Sequence, residues 1–277
     1  MAEFIYFTHK RLDDQITMIR DFFGDIMYLI QDEEKAILID TGFGVGSLRS
    51  YVDMLTGGKP VTVLLTHGHM DHAMGAPEFD DVYMSPLDDK QYRDHEDPKY
   101  RSAIMKVVLG KAYESQKTAI IPSQDLNYKP LLPGMTFALC GLTIRIFAAA
   151  GHTYGSVAML LEEKRILILG DSCNDNVLLL DDNATNVSGY LDSMTRLEAE
   201  TKDLYDRVFF SHGHNEGVAG YIASAIEVCK DILAGRSEEI PYQFLGFPLL
   251  AAKARDKRLR RYDGGLANIA YTAGKDN

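Results

Sequence analysis

Residues 61–72 read VTVLLTHGHMDH, and this stretch decides the fold. It opens with a short apolar run, which predicts a strand buried on both faces. The strand leads into His67 and His69, whose spacing lets both rings converge where the chain curves out of the strand. Asp71 and His72 begin the next turn and can face a neighbouring ion. Imidazole and carboxylate groups are ligands for zinc, iron and manganese, so the cluster predicts a metal site.

The pattern of an apolar run that ends in a polar motif recurs along the chain. It is found at residues 36–42 (AILIDTG), 166–171 (ILILGD) and 207–212 (RVFFSH). Apolar side chains at helical spacing follow at residues 48–55, 187–197 and 221–233. Strands that alternate with helices predict an α/β fold, in which ligands bind at the carboxyl ends of the strands.

Two further histidine motifs extend the candidate site. His152 lies in the sequence GHTYGS after an apolar run, and the sequence SHGH contains His212 and His214. A lone histidine is more often a hydrogen-bonded core or surface residue, and a lone Asp171 after a strand is more often a helix cap. Their order and placement together indicate one metal site.

Composition limits the partners and the compartment. The net charge of −11 disfavours nucleic acid and anionic membranes as partners. The three cysteines, Cys140, Cys173 and Cys229, are far apart, which disfavours a disulfide framework or a cysteine zinc site. The N-terminal residues do not resemble a secretory signal, and no apolar stretch is long enough to span a membrane. We expect a cytoplasmic protein with a small-molecule substrate, and a homo-oligomer stays open.

Together the motifs resemble those of the metallo-β-lactamase-fold hydrolase superfamily. Its pattern is H-x-H-x-D-H, then G-H-T-x-G-S, then an Asp after a strand and a late His, and all four occur here in that order. Asp40-Thr41-Gly42 is similar to an earlier element of the family. The resemblance runs from about residue 36 to residue 214 and implies an α/β fold, the αββα four-layer sandwich of two similar halves.

The resemblance also implies two divalent metal ions, with zinc expected and iron or manganese as alternatives. The implied ligands are His67, His69 and His152 for the first ion, Asp71, His72 and His212 for the second, and Asp171 as the bridge. Asp40 would orient a ligand from behind. His214 is the alternative to His212 as the last ligand.

Two such ions can share a hydroxide that attacks an ester, thioester, lactone or phosphoryl centre. Asp71 would also orient this hydroxide and is the candidate catalytic residue. The general acid is open among Tyr154, Tyr190 and His214, and the two tyrosines are also candidates for substrate binding. We therefore expect a dinuclear metal-dependent hydrolase of a small-molecule ester, thioester or lactone.

Departures from the family pattern narrow this expectation. The main zinc subclass of β-lactamases has Cys in place of Asp171, and flavodiiron oxygen reductases have Glu in place of His69, so neither activity is expected. A bridging Asp is typical of the branch that resembles glyoxalase II and the lactonases. A phosphodiesterase, a mononuclear-iron persulfide dioxygenase and a non-catalytic metal-binding module stay open as alternatives. The sequence GFGVG at residues 42–46 is interpreted as a tight turn, since it does not match a nucleotide-binding loop.

The resemblance predicts a single domain over residues 1–277. Residues 85–133 would be an insertion of one or two polar helices followed by a loop, either a lid or a plain surface segment. A C-terminal extension would begin at about residue 236. Its basic stretch, residues 253–261, is interpreted as the solvated face of a helix.

Overall fold

A computed structural model describes residues 4–180 and 182–274. The described chain divides into two compact units. The first unit contains residues 4–131 and 139–141, and the second contains residues 132–138 and 142–274. No helix within these described ranges is long and apolar enough to cross a membrane.

The first unit is built on one sheet. Its strands are β1 (Phe7–Arg11), β2 (Ile16–Asp21), β3 (Ile26–Gln31), β4 (Ala36–Ile39), β5 (Val61–Leu64), β6 (Asp81–Met84) and β7 (Lys129–Pro130). They lie side by side in chain order; β1 to β4 are antiparallel neighbours, and β4 to β7 are parallel. The helices of this unit are α1 (Leu48–Thr56), α2 (Met70–Ala73), α3 (Asp89–Glu96), α4 (Pro98–Leu109) and α5 (Tyr113–Gln116).

Strands β4 and β5 have the burial that their apolar runs predict. All four residues of β4 and three of the four residues of β5 are buried. Helix α1 connects them and begins at Ser47, whose side chain accepts a hydrogen bond from the backbone N–H of Ser50. Parallel pairing places Ile39 opposite Leu64. The residues that follow the two strands therefore meet at one edge of the sheet.

The second unit contains two sheets. Its strands are β8 (Thr136–Leu139), β9 (Leu142–Ala148), β10 (Val157–Leu161), β11 (Ile166–Gly170), β12 (Val177–Leu179), β13 (Arg207–Phe210), β14 (Glu216–Val218), β15 (Ile240–Phe244), β16 (Phe247–Ala251) and β17 (Ile269–Tyr271). One sheet has the order β14-β13-β11-β10-β9-β8, and the other has the order β12-β17-β16-β15. Helices α6 (Val187–Thr201) and α7 (Tyr221–Leu233) pack against each other and confirm the two later helical stripes.

Parallel strands again bring two motifs together in the second unit. Strands β11 and β13 are parallel neighbours, with Gly170 paired to Phe210. All five residues of β11 are buried, as its apolar sequence predicts. Asp171 and His212 therefore leave the sheet at the same edge.

Residues 253–261 are not helical, and the expectation of a helix there is wrong. The stretch is a turn, in which Arg255 and Arg261 form an isolated antiparallel bridge. The carboxylate of Asp256 accepts hydrogen bonds from the backbone N–H groups of Arg258 and Arg260. An Asp side chain that binds the N–H groups of nearby residues competes with helix formation, which explains the difference.

The segment at residues 85–133 contains the polar helices that its sequence predicts. Helices α3 and α4 lie in its first half, and residues 121–128, within the described chain, have neither helix nor strand.

The turn at residues 42–46 is confirmed, since Gly42, Gly44 and Gly46 all have positive φ. At Gly44 an added Cβ would lie 2.4 Å from the carbonyl oxygen of Met74. This turn therefore requires glycine both for its backbone conformation and for the close approach of Met74.

We expect Gly44→Ala to destabilise the protein more than Gly57→Ala. The two glycines have φ of +69° and +70°, but nothing lies within 4 Å of a Cβ built on Gly57. The left-handed conformation should cost about 1–2 kcal/mol in both variants. The clash should add roughly 1–3 kcal/mol in Gly44→Ala alone. Urea denaturation measures both, and equal losses would contradict the close packing at Gly44.

Candidate metal centre

The carboxylate of Asp40 holds both ends of the HGHMDH loop. Asp40 follows β4 with a left-handed φ of 61° and is 1% exposed. Its Oδ1 accepts the backbone N–H of Thr66 at 2.7 Å, and its Oδ2 lies 2.9 Å from Nδ1 of His72. The hydroxyl of Thr66 donates to the same carboxylate at 2.8 Å. This buried acceptor therefore fixes the loop where it leaves β5 and again inside α2.

These hydrogen bonds assign the protonated nitrogen of two histidines. Asp40 can only accept when it is ionised, so Nδ1 of His72 carries the proton. The hydroxyl of Thr66 has one proton, which it donates in the hydrogen bond to Asp40. The hydroxyl oxygen of Thr66 therefore accepts a hydrogen bond from Nδ1 of His67 at 3.1 Å. With the proton on Nδ1, Nε2 of each ring keeps its lone pair, which is the form that binds a metal ion.

The remaining atoms of the loop have the spacing of ligands on an ion. Nε2 of His67 lies 3.1 Å from Nδ1 of His69, and Nε2 of His72 lies 3.6 Å from Oδ2 of Asp71. Ligand atoms on a tetrahedral zinc ion with bonds of about 2.0–2.1 Å are about 3.3 Å apart. The donor set of the first unit therefore fits divalent metal ions.

The second unit supplies a matching set around Asp171. Oδ2 of Asp171 lies 3.1 Å from Nε2 of His212 and 3.7 Å from Nε2 of His152. The backbone carbonyl of Leu178 in β12 accepts from Nδ1 of His152 at 2.8 Å, which leaves Nε2 as the metal-binding nitrogen. One carboxylate oxygen of Asp171 therefore lies within 3.7 Å of two imidazole nitrogens. The donor chemistry of this set fits a divalent ion as well.

His214 lies in a different hydrogen-bond network from His212. Its Nδ1 is 3.1 Å from Oδ2 of Asp175, whose other oxygen accepts from the hydroxyl of Tyr221 at 2.8 Å. Burial raises the pKa of the Asp175 carboxyl, whereas the hydrogen bond from Tyr221 and the charge of His214 lower it. This geometry favours His212 over His214 as the ligand next to Asp171.

Tyr190 is a candidate for substrate binding in the sequence, but in the structure it lies in the core. The side chain is fully buried in the core of the second unit, and its hydroxyl donates to the carbonyl of Ser172 at 2.7 Å. A Cβ on Gly151 would lie only 2.2 Å from this ring, so Tyr190 packs under the loop of His152. Tyr154, in contrast, is 48% exposed and stays available to a substrate.

Cys173 lies close to Asp171 in sequence but is unsuited to bind a metal ion. Its side chain is fully buried, and burial raises the pKa of the thiol to about 12. The thiol is thus enclosed, and among the described residues it belongs to neither group of side chains that could hold a metal ion.

Two residues that support the first loop could not be found from the sequence. His95 in α3 accepts the backbone N–H of Met70 at its Nδ1, at 3.1 Å, and its ring stacks on His69 with centroids 5.1 Å apart. Asp88, also buried, accepts the backbone N–H of Gly68 at 2.8 Å. Both lie in the polar segment at residues 85–133, where a single His or Asp forms no recognisable motif. This segment thus contributes to the loop that carries the ligands.

Comparisons with known proteins agree with the fold and the motifs. The family model described as the metallo-beta-lactamase superfamily matches residues 27–214. A solved metallo-β-lactamase from Pontibacter korlensis superposes with a TM-score of 0.57 and 17% identity, covering 81% of this chain and 99% of that chain. The predicted resemblance and the predicted αββα fold class are thereby confirmed.

Two curated relatives carry thioesterase names. An atrochrysone carboxyl ACP thioesterase from Aspergillus fumigatus is 27% identical over 152 residues, which cover 54% of this chain and 29% of that protein. An acyl-coenzyme A thioesterase from Gallus gallus is 24% identical over 243 residues, which cover 76% of this chain and 82% of that protein. This chain therefore spans less than a third of the first relative and most of the second.

We expect Asp40→Asn to weaken metal binding. Asn tolerates the left-handed backbone and can still accept from Thr66, but its amide nitrogen cannot accept from His72. Loss of such a supporting contact should lower metal affinity about 10–100-fold.

Competition with a chromophoric chelator measures this affinity. Asp53→Asn is the matched control, because Asp53 lies on α1 and pairs with Arg49. Equal affinities in the two variants would contradict the role given to Asp40.

Proposed function

Because the chain belongs to the metallo-β-lactamase superfamily, we propose that it is a metal-dependent hydrolase of small-molecule thioesters. The observation that carries this proposal is Asp171, whose Oδ2 lies 3.1 Å from Nε2 of His212 and 3.7 Å from Nε2 of His152. The thioesterase names of two relatives support the substrate class.

The proposed ligands are those that the motif pattern of the family implies. His67, His69 and His152 would hold one ion, and Asp71, His72, Asp171 and His212 would hold the other. Asp171 would bridge the two ions. Zinc is the proposed metal, since neutral imidazoles and carboxylates are ligands that it accepts readily.

When bound, the two ions would supply an activated water and polarise the thioester carbonyl. The residues of the chain would do the rest. Asp71, whose side chain is 25% exposed, would accept a hydrogen bond from the attacking water and orient it. Asp40 would keep His72 in the tautomer that leaves its Nε2 unprotonated. The nucleophile would be water, and the buried thiol of Cys173 would take no part.

A thioester also suits a site whose candidate proton donors Tyr190 and His214 are bonded to other described residues. The leaving group is a thiol with a pKa of about 8.5, so it can depart as a thiolate at neutral pH. Tyr190 is buried and bonded to Ser172, and His214 is bound to Asp175. Exposed Tyr154 is the proposed contact of the substrate, where its hydroxyl would orient the acyl group.

We expect the purified protein to contain about two transition-metal ions per chain. Removal of these ions by a chelator should abolish thioester hydrolysis, and zinc should restore it. Elemental analysis before and after dialysis, with hydrolysis followed by thiol release, measures both. Full activity in metal-free protein would refute the proposal.

We expect Asp171→Ala to lose one of the two ions and to lower kcat/KM by roughly 100-fold or more, since it removes a direct ligand. Asp175→Ala is the matched control, because Asp175 lies four residues away and binds His214 and Tyr221. Elemental analysis should find both ions in the control. If Asp171→Ala also kept both ions and the full rate, Asp171 would not be the bridge.

A further inference from the structure

A cavity lies on the C-terminal sheet of the second unit, among residues that the proposed metal site does not use. Its volume is about 500 Å³, and its lining is mostly apolar, with Pro241, Tyr242, Pro248, Leu249 and Leu250 as the main contributors. This volume is within the range of small-molecule sites, which hold part or all of a cofactor-sized ligand.

The same sheet is hydrogen-bonded to His152, one of the proposed metal ligands. The carbonyl of Leu178 in β12 accepts from Nδ1 of His152. Leu178 pairs with Ala270 of β17, and the neighbouring Tyr271 pairs with Leu250 of β16, which lines the cavity. Adjacent strands are about 4.8 Å apart, so the cavity wall lies two strands, about 10 Å, from the strand that holds His152.

A cationic turn borders the cavity. The guanidinium of Arg255 lies over the ring of Tyr242, 4.4 Å from its centroid. Within the described chain, Nη1 of Arg255 is buried without a hydrogen-bond partner. The guanidinium thus places a positive charge beside a ring that lines the cavity, and anionic oxygens are strong partners of such a group.

Two further cations of this turn are exposed and could contact a bound anion. Residues 253–261 contain six basic residues and one acidic residue, although the whole chain has a net charge of −11. Lys253, Arg260 and Arg261 pair with Asp231, Asp256 and Asp263 respectively. Lys257 and Arg258 are exposed, and neither forms an ion pair with any described residue. The turn therefore concentrates positive charge on an otherwise acidic chain.

We propose that this cavity and turn bind the phosphorylated nucleotide end of a coenzyme A thioester. The purine would lie in the apolar cavity beside Tyr242 and Pro248, and the phosphates would accept hydrogen bonds from Arg255, Lys257 and Arg258. A plain acyl chain would fill the cavity but would leave the exposed charges of Lys257 and Arg258 without a counter-ion. The flexible pantetheine arm would then lead towards His152. The nucleotide contact is independent of catalysis, but its role in turnover rests on the proposed thioester hydrolysis.

Direct binding tests the site without any turnover. Isothermal titration calorimetry of the metal-loaded full chain with 3′-phosphoadenosine 5′-phosphate should detect binding. Lys257→Gln with Arg258→Gln should weaken it at least tenfold, and Arg255→Met should do the same. The matched control is Arg196→Gln with Lys202→Gln, two exposed cations of α6 and its end, which should bind as the native chain does. Failure of the native chain to bind, or equal loss in the control, overturns the inference.

Kinetics connect the site to the reaction. For an acyl-coenzyme A, the Lys257/Arg258 double variant should raise KM at least tenfold with kcat unchanged. For the same acyl group on N-acetylcysteamine, which lacks the nucleotide, KM should not change. An equal change on both substrates, or a change only with a carrier-protein thioester, overturns the nucleotide assignment. If the nucleotide binds but no thioester is hydrolysed, the proposed function fails while the site stands.

Discussion

The buried carboxylate of Asp40 is the constraint on which the metal loop of the first unit depends. Parallel pairing of β4 with β5 puts Asp40 beside Thr66, and the left-handed backbone at Asp40 turns its side chain into the loop rather than along the strand. Three donors from Thr66 and His72 converge on it. Each would be a buried donor without an acceptor if the carboxylate were removed, at a cost of about 1–3 kcal/mol. The sheet thus fixes the carboxylate, and the carboxylate fixes the HGHMDH loop that contains the candidate ligands.

The sequence predicts those helices and strands whose apolar pattern matches their burial in the folded chain. The apolar residues of strand β5 and helix α1 are buried as their spacing predicts. The HGHMDH stretch contains three histidines and one aspartate within six residues, which is enough to indicate a metal site. The basic residues of 253–261 are spaced as on the solvated face of a helix, which explains the wrong prediction. In the structure the carboxylate of Asp256 binds nearby backbone N–H groups and folds the stretch into a turn. His95 was missed because its contact with Met70 joins residues 25 apart and leaves no local signature. Packing that depends on distant partners is absent from any short window of sequence.

The hydrogen bonds around the candidate ligands also set their protonation before any ion arrives. The Nδ1–H group of His72 donates a hydrogen bond to Asp40, that of His67 donates to the hydroxyl oxygen of Thr66, and that of His152 donates to the carbonyl of Leu178. Each ring thereby keeps the lone pair of Nε2 free of a proton. The network thus holds lone pairs in the form that a metal ion requires.

The support of His152 differs from that of the other histidines in a way that affects substrate choice. Its partner is a backbone carbonyl of β12, which any residue at position 178 would provide. Strand β12 is an edge strand of the C-terminal sheet. The apolar cavity lies on β15 and β16 of this sheet, and Arg255 of the cationic turn packs over Tyr242 of β15. Side chains on this sheet can therefore change without removing the acceptor of His152. The part of the chain that is least predictable from family motifs can thus vary in what it recognises, while its backbone still orients a metal ligand.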